Sequence, residues 1–236
     1  MPQVIGHRGA AGTHPENTVV SFQRAFEIGV DGIEFDVHRT ADGHLVVIHD
    51  PAVDRTTNGS GVVMAMTLAE IQALDAGSWK DPAFAGQRVP TLRELVRATP
   101  PEVRLYLELK AGSVHYPGIE QEVVDLLREE GVLSRTQISS FDHRALVRLK
   151  EICPELPLGM LTSCNHVDPV GMARDIGCEA IHPAWFWVTP DYVAAAHAAG
   201  LKVNCWTADD PMAIAMLKAA GVDGIISNYP DRVKGA

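Results

Sequence analysis

Ala199-Gly200-Leu201-Lys202-Val203-Asn204-Cys205-Trp206 shows the unit from which this chain is built: a helix closed by glycine, a short connection, then an apolar strand. The same order returns at Ala220-Gly221-Val222, ahead of a strand expected over 224–227. Glycine takes the left-handed conformation that ends many helices at little cost. Upstream of each unit, Thr189-Pro190 and Asp210-Pro211 open the helices in the favoured order, a capping side chain followed by proline. Helices are expected at 169–176 and 211–220, and strands at 104–110, 137–140, 156–161, 180–182 and 202–206. A further helix is expected at 119–130, and Asp142 can cap another. Strand and helix in alternation mean a parallel sheet with helical crossovers. The strand count, close to eight, favours a closed (β/α)₈ barrel, the TIM-barrel form of the α/β class, over an open sheet.

The N-terminal half carries the same alternation with one interruption. Val4-Ile5 is a short strand ending in Gly6-His7-Arg8-Gly9. Asn17 or Thr18 can cap a helix from Val19 that buries Phe22, Ala25 and Phe26 and stops at Gly29. Gly32-Ile33-Glu34-Phe35-Asp36-Val37 follows as a strand, and Asp42-Gly43 turns it into a hairpin-like connection with Leu45-Val46-Val47-Ile48. The stretch 51–90 is rich in Gly, Thr and Ser, with one short helix signalled by Thr67 and Glu70; Thr91 and Glu94 repeat that signal. It reads as an insertion after an early strand of a single domain spanning 1–236. Gly6, Gly9 and Gly12 do not keep the spacing of a dinucleotide-binding loop, which weakens the open-sheet alternative.

Composition excludes several function classes. A net charge of −10 over 236 residues argues against a basic nucleic-acid groove. No apolar run is long enough to span a bilayer, so stable membrane insertion is not expected. The N-terminus runs straight into a strand without the basic and apolar regions of a secretory signal. Cys153, Cys164, Cys178 and Cys205 are scattered and form no metal-binding pair, which fits reduced thiols in a cytoplasmic protein. Oligomeric state stays open.

The chemistry is read from where polar residues fall. Side chains alternate along a strand, so Glu34 and Asp36 share one face and Ile33, Phe35 and Val37 the other. Taken alone, this is equally an edge strand with a solvated acidic face. Its company points elsewhere. Glu34 and Asp36 are expected at the end of the second strand, and His7-Arg8, His49, Glu108 with Lys110, His182, Asn204 with Trp206, and Ser227-Asn228 likewise fall at strand ends, the rim where barrel active sites lie. Each has a plain structural reading: a satisfied histidine, an ion pair, a core tryptophan. Together they suggest phosphate-ester hydrolysis. Glu34, Asp36 and Glu108 would hold a hard divalent cation such as Mg²⁺ or Ca²⁺. Arg8 and Lys110 would hold the phosphate, and His7 and His49 would serve as base and acid in either order. His182 and Trp206 are candidates for substrate contact.

These motifs resemble those of the glycerophosphodiester phosphodiesterase family. The resemblance rests on Gly6-His7-Arg8-Gly9-Ala10, Pro15-Glu16-Asn17-Thr18, Glu34-x-Asp36-Val37, Thr40-x-Asp42-Gly43 and Val47-Ile48-His49-Asp50. It continues through Leu107-Glu108-Leu109-Lys110, Ser140-Phe141, Trp206-Thr207 and Gly221 to Ile226. It implies the (β/α)₈ barrel with its insertion, and hydrolysis of glycerophosphodiesters, such as glycerophosphocholine or glycerophosphoethanolamine, to sn-glycerol 3-phosphate and an alcohol. It also implies a Ca²⁺ or Mg²⁺ cofactor on Glu34, Asp36 and Glu108, catalytic His7 and His49, and phosphate contacts from Arg8 and Lys110. Attack by the glycerol 2-hydroxyl through a cyclic phosphate and direct attack by water are both compatible with these residues. Asn228 stands where many relatives carry Asp, a change expected to alter how the leaving alcohol is held. Competing readings are lysophospholipase D-type activity on lysophospholipids, a non-catalytic phosphate-ligand binder, and a two-carboxylate glycosidase.

Overall fold

The computed structural model describes residues 1–235. Eight parallel strands close on themselves: β1 (Gln3–His7), β2 (Gly32–Arg39), β4 (Arg104–Leu109), β5 (Thr136–Ser140), β6 (Leu158–Thr162), β7 (Ala180–Pro183), β8 (Lys202–Cys205) and β9 (Gly224–Ser227). β1 pairs with β2 on one side and with β9 on the other, which seals the (β/α)₈ barrel. The ninth strand, β3 (Leu45–Val47), runs antiparallel to the outer end of β2. That hairpin carries β2 past the barrel rim to Arg39, so Glu34 and Asp36 sit in the body of the strand and not at its end.

Strand alternation does the sorting. Ile33, Phe35 and Val37 point outward into the main core between sheet and helices, where Phe35 meets Phe22 edge-on at 6.3 Å. Full burial of each such side chain contributes about 1.5–3 kcal/mol. Inside the barrel, Ile5, Tyr106 and Ile226 form a small apolar plug beneath the polar residues. Both acids of β2 are buried, Asp36 completely, which excludes the solvated edge.

The helix signals are realised. Thr18, Asp142, Asp168, Thr189 and Asp210 each accept a backbone N–H at a helix start. Thr67 with Glu70 and Thr91 with Glu94 form complete capping boxes. Asn17 does not cap; it takes a left-handed φ of 58° and turns its amide to Asp36 Oδ2 at 2.8 Å. The strand expected at 156–161 starts at Leu158, because Pro157 has no N–H for the ladder. Lys110 and Trp206 lie just beyond their strands, although Lys110 N–H still reaches Val37 O at 3.2 Å.

Residues 51–90 pack a satellite core of Val53, Val63, Ile71, Ala76 and Val89 against Val46 and Ile48 of the hairpin. They contain the expected short helix, Leu68–Gln72, and two 3₁₀ turns. Among the described residues no helix is long and apolar enough to cross a membrane.

Candidate active site

The site begins with the turn after β1. Arg8 adopts φ 50° and Gly9 φ 89°. A Cβ on Gly9 would lie 2.5–2.7 Å from Ser21 atoms, so glycine is required there. The turn is held by Ser21, whose Oγ donates to Arg8 O at 2.9 Å, and by Asn17 N–H, 3.1 Å from the same oxygen. It aims the Arg8 N–H at Glu34 Oε2, 3.2 Å away, and brings Arg8 Nε within 3.2 Å of Asp36 Oδ2.

Glu34, Asp36 and Glu108 converge inside the barrel mouth. One oxygen from each can be chosen so that all lie within 4.8 Å of one another. Register explains this: β1 sets His7 beside Glu34, and β4 sets Glu108 beside Asp36. Lys110 Nζ bridges Asp36 Oδ1 at 3.0 Å and Glu108 Oε1 at 2.5 Å. Three acids against two cations leave an excess of negative charge, and the acids share it unequally. Burial pushes Asp36 upward, but Lys110 and Arg8 outweigh it and hold that carboxyl well below the usual range. Burial and the Asp36 charge push Glu34 well above its ordinary value, and burial raises Glu108 to about 7.

The two histidines face this cluster with different partners. His7 Nε2 is 3.7 Å from Glu34 Oε2, and its Nδ1 is 2.7 Å from Asn228 Oδ1. Burial, helped by Arg8, lowers His7 to about 4. His49 Nδ1 is 2.6 Å from Asp50 Oδ1, and burial lowers this ring too. Asp50 accepts from both Nε and Nη2 of Arg55, and Arg55 in turn donates twice to Glu16. Glu16 also accepts from Arg8 Nη1 at 2.7 Å. A continuous chain of ion pairs therefore runs from Arg8 through Glu16 and Arg55 to Asp50, the hydrogen-bond partner of His49. Behind it, His38 Nε2 lies 3.0 Å from the His49 carbonyl, and its Nδ1 lies 2.8 Å from the Tyr116 hydroxyl.

His7, Arg8, Glu34, His49, Glu108 and Lys110 line one depression with about 440 Å³ of empty space, partly open to solvent. Its far wall is apolar: Phe141, Leu161 and Trp206, with Phe141 and Trp206 edge-on at 5.4 Å. Trp206 is fixed by its indole N–H, which donates to His182 O at 2.7 Å. His182 lies in the floor, 1% exposed, with Nε2 placed 2.8 Å from Gln137 Oε1 and 3.1 Å from Asn204 Nδ2. Burial lowers its pKa to about 3, so the ring is neutral.

Residues 7–232 match the sequence model of the "Glycerophosphoryl diester phosphodiesterase family". The chain belongs to that family. A glycerophosphodiester phosphodiesterase of Caldanaerobacter subterraneus subsp. tengcongensis is 44% identical over 229 residues, covering 97% of this chain and 94% of the relative. One of Bacillus altitudinis is 33% identical, covering 98% and 96%. Among solved structures, an Oleispira antarctica phosphodiesterase in complex with the product sn-glycerol-3-phosphate superimposes with a TM-score of 0.92 at 33% identity, covering 100% of this chain and 96% of that one. The protein is accordingly a hydrolase of the phosphodiesterase class.

For a member of this family, the residues singled out from sequence are brought together with little exception. His7, Arg8, Glu34, His49, Glu108, Lys110, His182 and Trp206 line the depression, and Asp36 lies directly beneath. Asn228 lies against His7, its Oδ1 2.7 Å from His7 Nδ1. Sequence reading missed Asn17, Arg55, Asp209 and the contact surface of Phe141. Asn17 and Phe141 stand within quoted motifs, but no local pattern marks Arg55 or Asp209. The acid cluster fits a divalent cation on chemical grounds. Its donors are all oxygen, and Asp36 Oδ1 is buried without a well-aligned hydrogen bond although Lys110 stands near.

Proposed function

We propose that residues 1–236 act as one catalytic domain that hydrolyses small, water-soluble glycerophosphodiesters, of which glycerophosphocholine and glycerophosphoethanolamine are examples, to sn-glycerol 3-phosphate and an alcohol. The observation that carries this reading is the convergence of two histidines on a buried acid cluster that also holds Arg8 and Lys110. Glu34, Asp36 and Glu108 would hold Mg²⁺ or Ca²⁺, which supplies positive charge opposite the phosphoryl oxygens. Arg8 and Lys110 are the phosphate-binding side chains, one a fork and one a point charge. Asp36 keeps the Arg8 head at the cluster, and Asp36 with Glu108 keeps that of Lys110 there, instead of in solvent.

His7 and His49 transfer the protons. One accepts from the attacking hydroxyl or water and the other donates to the leaving oxygen. Asp50 orients the His49 ring, and Arg55 holds Asp50. Trp206 and Phe141 offer apolar faces to the carbon skeleton, and His182 forms the floor under them. The neutral glycosidase reading loses ground here, because two cationic side chains would face an uncharged sugar.

The direct test is release of glycerol 3-phosphate from glycerophosphocholine by the purified protein, first in EDTA and then with Mg²⁺, Ca²⁺ or Mn²⁺ restored. Turnover should vanish in EDTA and return with at least one of these ions. Absence of turnover with every ion and several head-groups would overturn the proposal in favour of lysophospholipids or of a non-catalytic binder.

The raised carboxyls give a second expectation. In the metal-free protein, Glu108 and Glu34 keep protons that the unfolded chain loses above its ordinary carboxyl value of about 4.5. Their contribution to stability therefore falls as pH rises toward the raised values. The four histidines His7, His38, His49 and His182 are shifted down, so their contribution rises with pH and is complete by about 6.5. Comparing melting with and without Mg²⁺ at each pH largely removes the histidine part. A bound cation needs the carboxyls deprotonated, so the rise in Tm produced by Mg²⁺ should grow between about pH 5 and about pH 8. A Mg²⁺ effect that is flat over this range would remove Glu34 and Glu108 as its ligands.

A further inference from the structure

We propose that Asp209 and Asn228 are positioning residues that fix His7 in one tautomer, with its proton on Nδ1 and a bare Nε2 turned toward the acid cluster. Hydrogen bonding leaves the Asn228 amide one orientation. The Asp209 carboxylate can only accept. Its Oδ1 takes Ser227 Oγ–H at 3.0 Å and Asn228 N–H at 2.8 Å. Its Oδ2 takes the Asn228 side-chain NH₂ at 2.7 Å. The NH₂ end is thereby committed to Asp209, so the end that meets His7 Nδ1, at 2.7 Å, is the amide oxygen. An amide oxygen accepts only, and Nδ1 must be the donor.

This arrangement differs from that of His49, whose Nδ1 meets a carboxylate directly. At His7 the carboxylate is one residue further back and a neutral amide relays its direction without placing its charge against the ring. Nε2, the nitrogen nearest Glu34 Oε2, is left with its lone pair. The inference rests on the proposed role of His7 in proton transfer, but the tautomer itself is a property of the protein whether or not it turns over substrate.

The experiment is ¹⁵N spectroscopy of the full chain labelled in its histidine rings, recorded at about pH 9, where an ordinary imidazole is neutral. His7 signals are assigned by their loss in His7→Ala. The wild type should show Nδ1 as the protonated nitrogen. Asp209→Asn should reverse it. The oxygen of the new amide stays with Ser227 and the backbone N–H, so its NH₂ meets the NH₂ of Asn228. Two donors cannot face each other; the Asn228 amide turns over, donates to Nδ1 and moves the His7 proton to Nε2. With that reversal, kcat should fall by about 10²-fold or more at little changed KM. A role in loop packing alone would lower Tm and leave the tautomer in place. Protonated Nε2 in the wild type overturns the proposal, as does an unchanged tautomer in folded Asp209→Asn. Should that variant not fold, Asn228→Ala decides: a mixture of tautomers supports the relay, and an unmixed Nδ1–H form overturns it. Full turnover by His7→Ala would instead sink the catalytic role of His7 and leave the spectrum as it is.

Discussion

Replacing His49 with alanine is expected to lower kcat for glycerophosphodiester hydrolysis by about 10²–10⁴-fold, the range for a positioned acid or base. Stability should hardly change. The ring is about one-third exposed at 32%, and its partner Asp50 keeps two hydrogen bonds from Arg55 when the ring is gone. No charge is left buried and alone, so the cost should stay within about 1 kcal/mol. The measurement is steady-state kinetics beside a melting curve for the same preparation. Full turnover by a folded His49→Ala protein would remove His49 from the chemistry.

The acid cluster supplies a contrast between two substitutions that should both abolish turnover. Asp36 is wholly buried and is held by Arg8, Lys110 and Asn17. Breaking a buried pair in this way typically costs about 3–5 kcal/mol. Some of that is recovered here, because Glu34, freed from the Asp36 charge that helps keep it protonated, can ionise in its place. Asp36→Ala should therefore destabilise the metal-free protein by about 2–4 kcal/mol. Glu34→Gln is different. A carboxyl pushed well above its ordinary value already resembles an amide, and glutamine can still accept the Arg8 N–H. Stability in EDTA should stay within about 1 kcal/mol of wild type, while stabilisation by Mg²⁺ is lost. Denaturant titrations in EDTA and in Mg²⁺ separate the cases. Equal losses for the two variants in EDTA would show that the charge is not divided as the geometry implies.

Much of this is legible in the sequence because the signals are local. Glycine after a helix, cap-then-proline pairs and runs of alternating residues each act within a few positions, and they marked out the barrel. The pairing of Glu34 with Asp36 and of Glu108 with Lys110 followed from alternation alone. What escaped depends on contacts across long separations. Asn228 meets His7 221 positions away, so that contact could not be read from the last strand. Arg55 lies in the irregular insertion and reaches Glu16 39 positions upstream. Asp209 lies in the loop after β8, beside the cap Asp210, and its partners Ser227 and Asn228 stand 18 and 19 positions on. The position of Glu34 and Asp36 within β2 was missed for a related reason: the hairpin with β3 lengthens that strand beyond the rim.

Closure of the sheet by β1 and β9 also sets a timetable for biosynthesis. The three carboxylates are complete once residue 108 has left the ribosome and β2 can pair with β4. His7, made first of all, has no Asn228 partner and no strand on its other flank until β9 emerges. At about 5–20 residues per second, the 120 positions between Glu108 and Asn228 take roughly 6–24 s. During that interval the nascent chain exposes one open edge of β1 and another at whichever strand is latest. The growing polypeptide thus passes through a stage when it needs shielding from neighbours, and activity on substrate has to wait for its last strand.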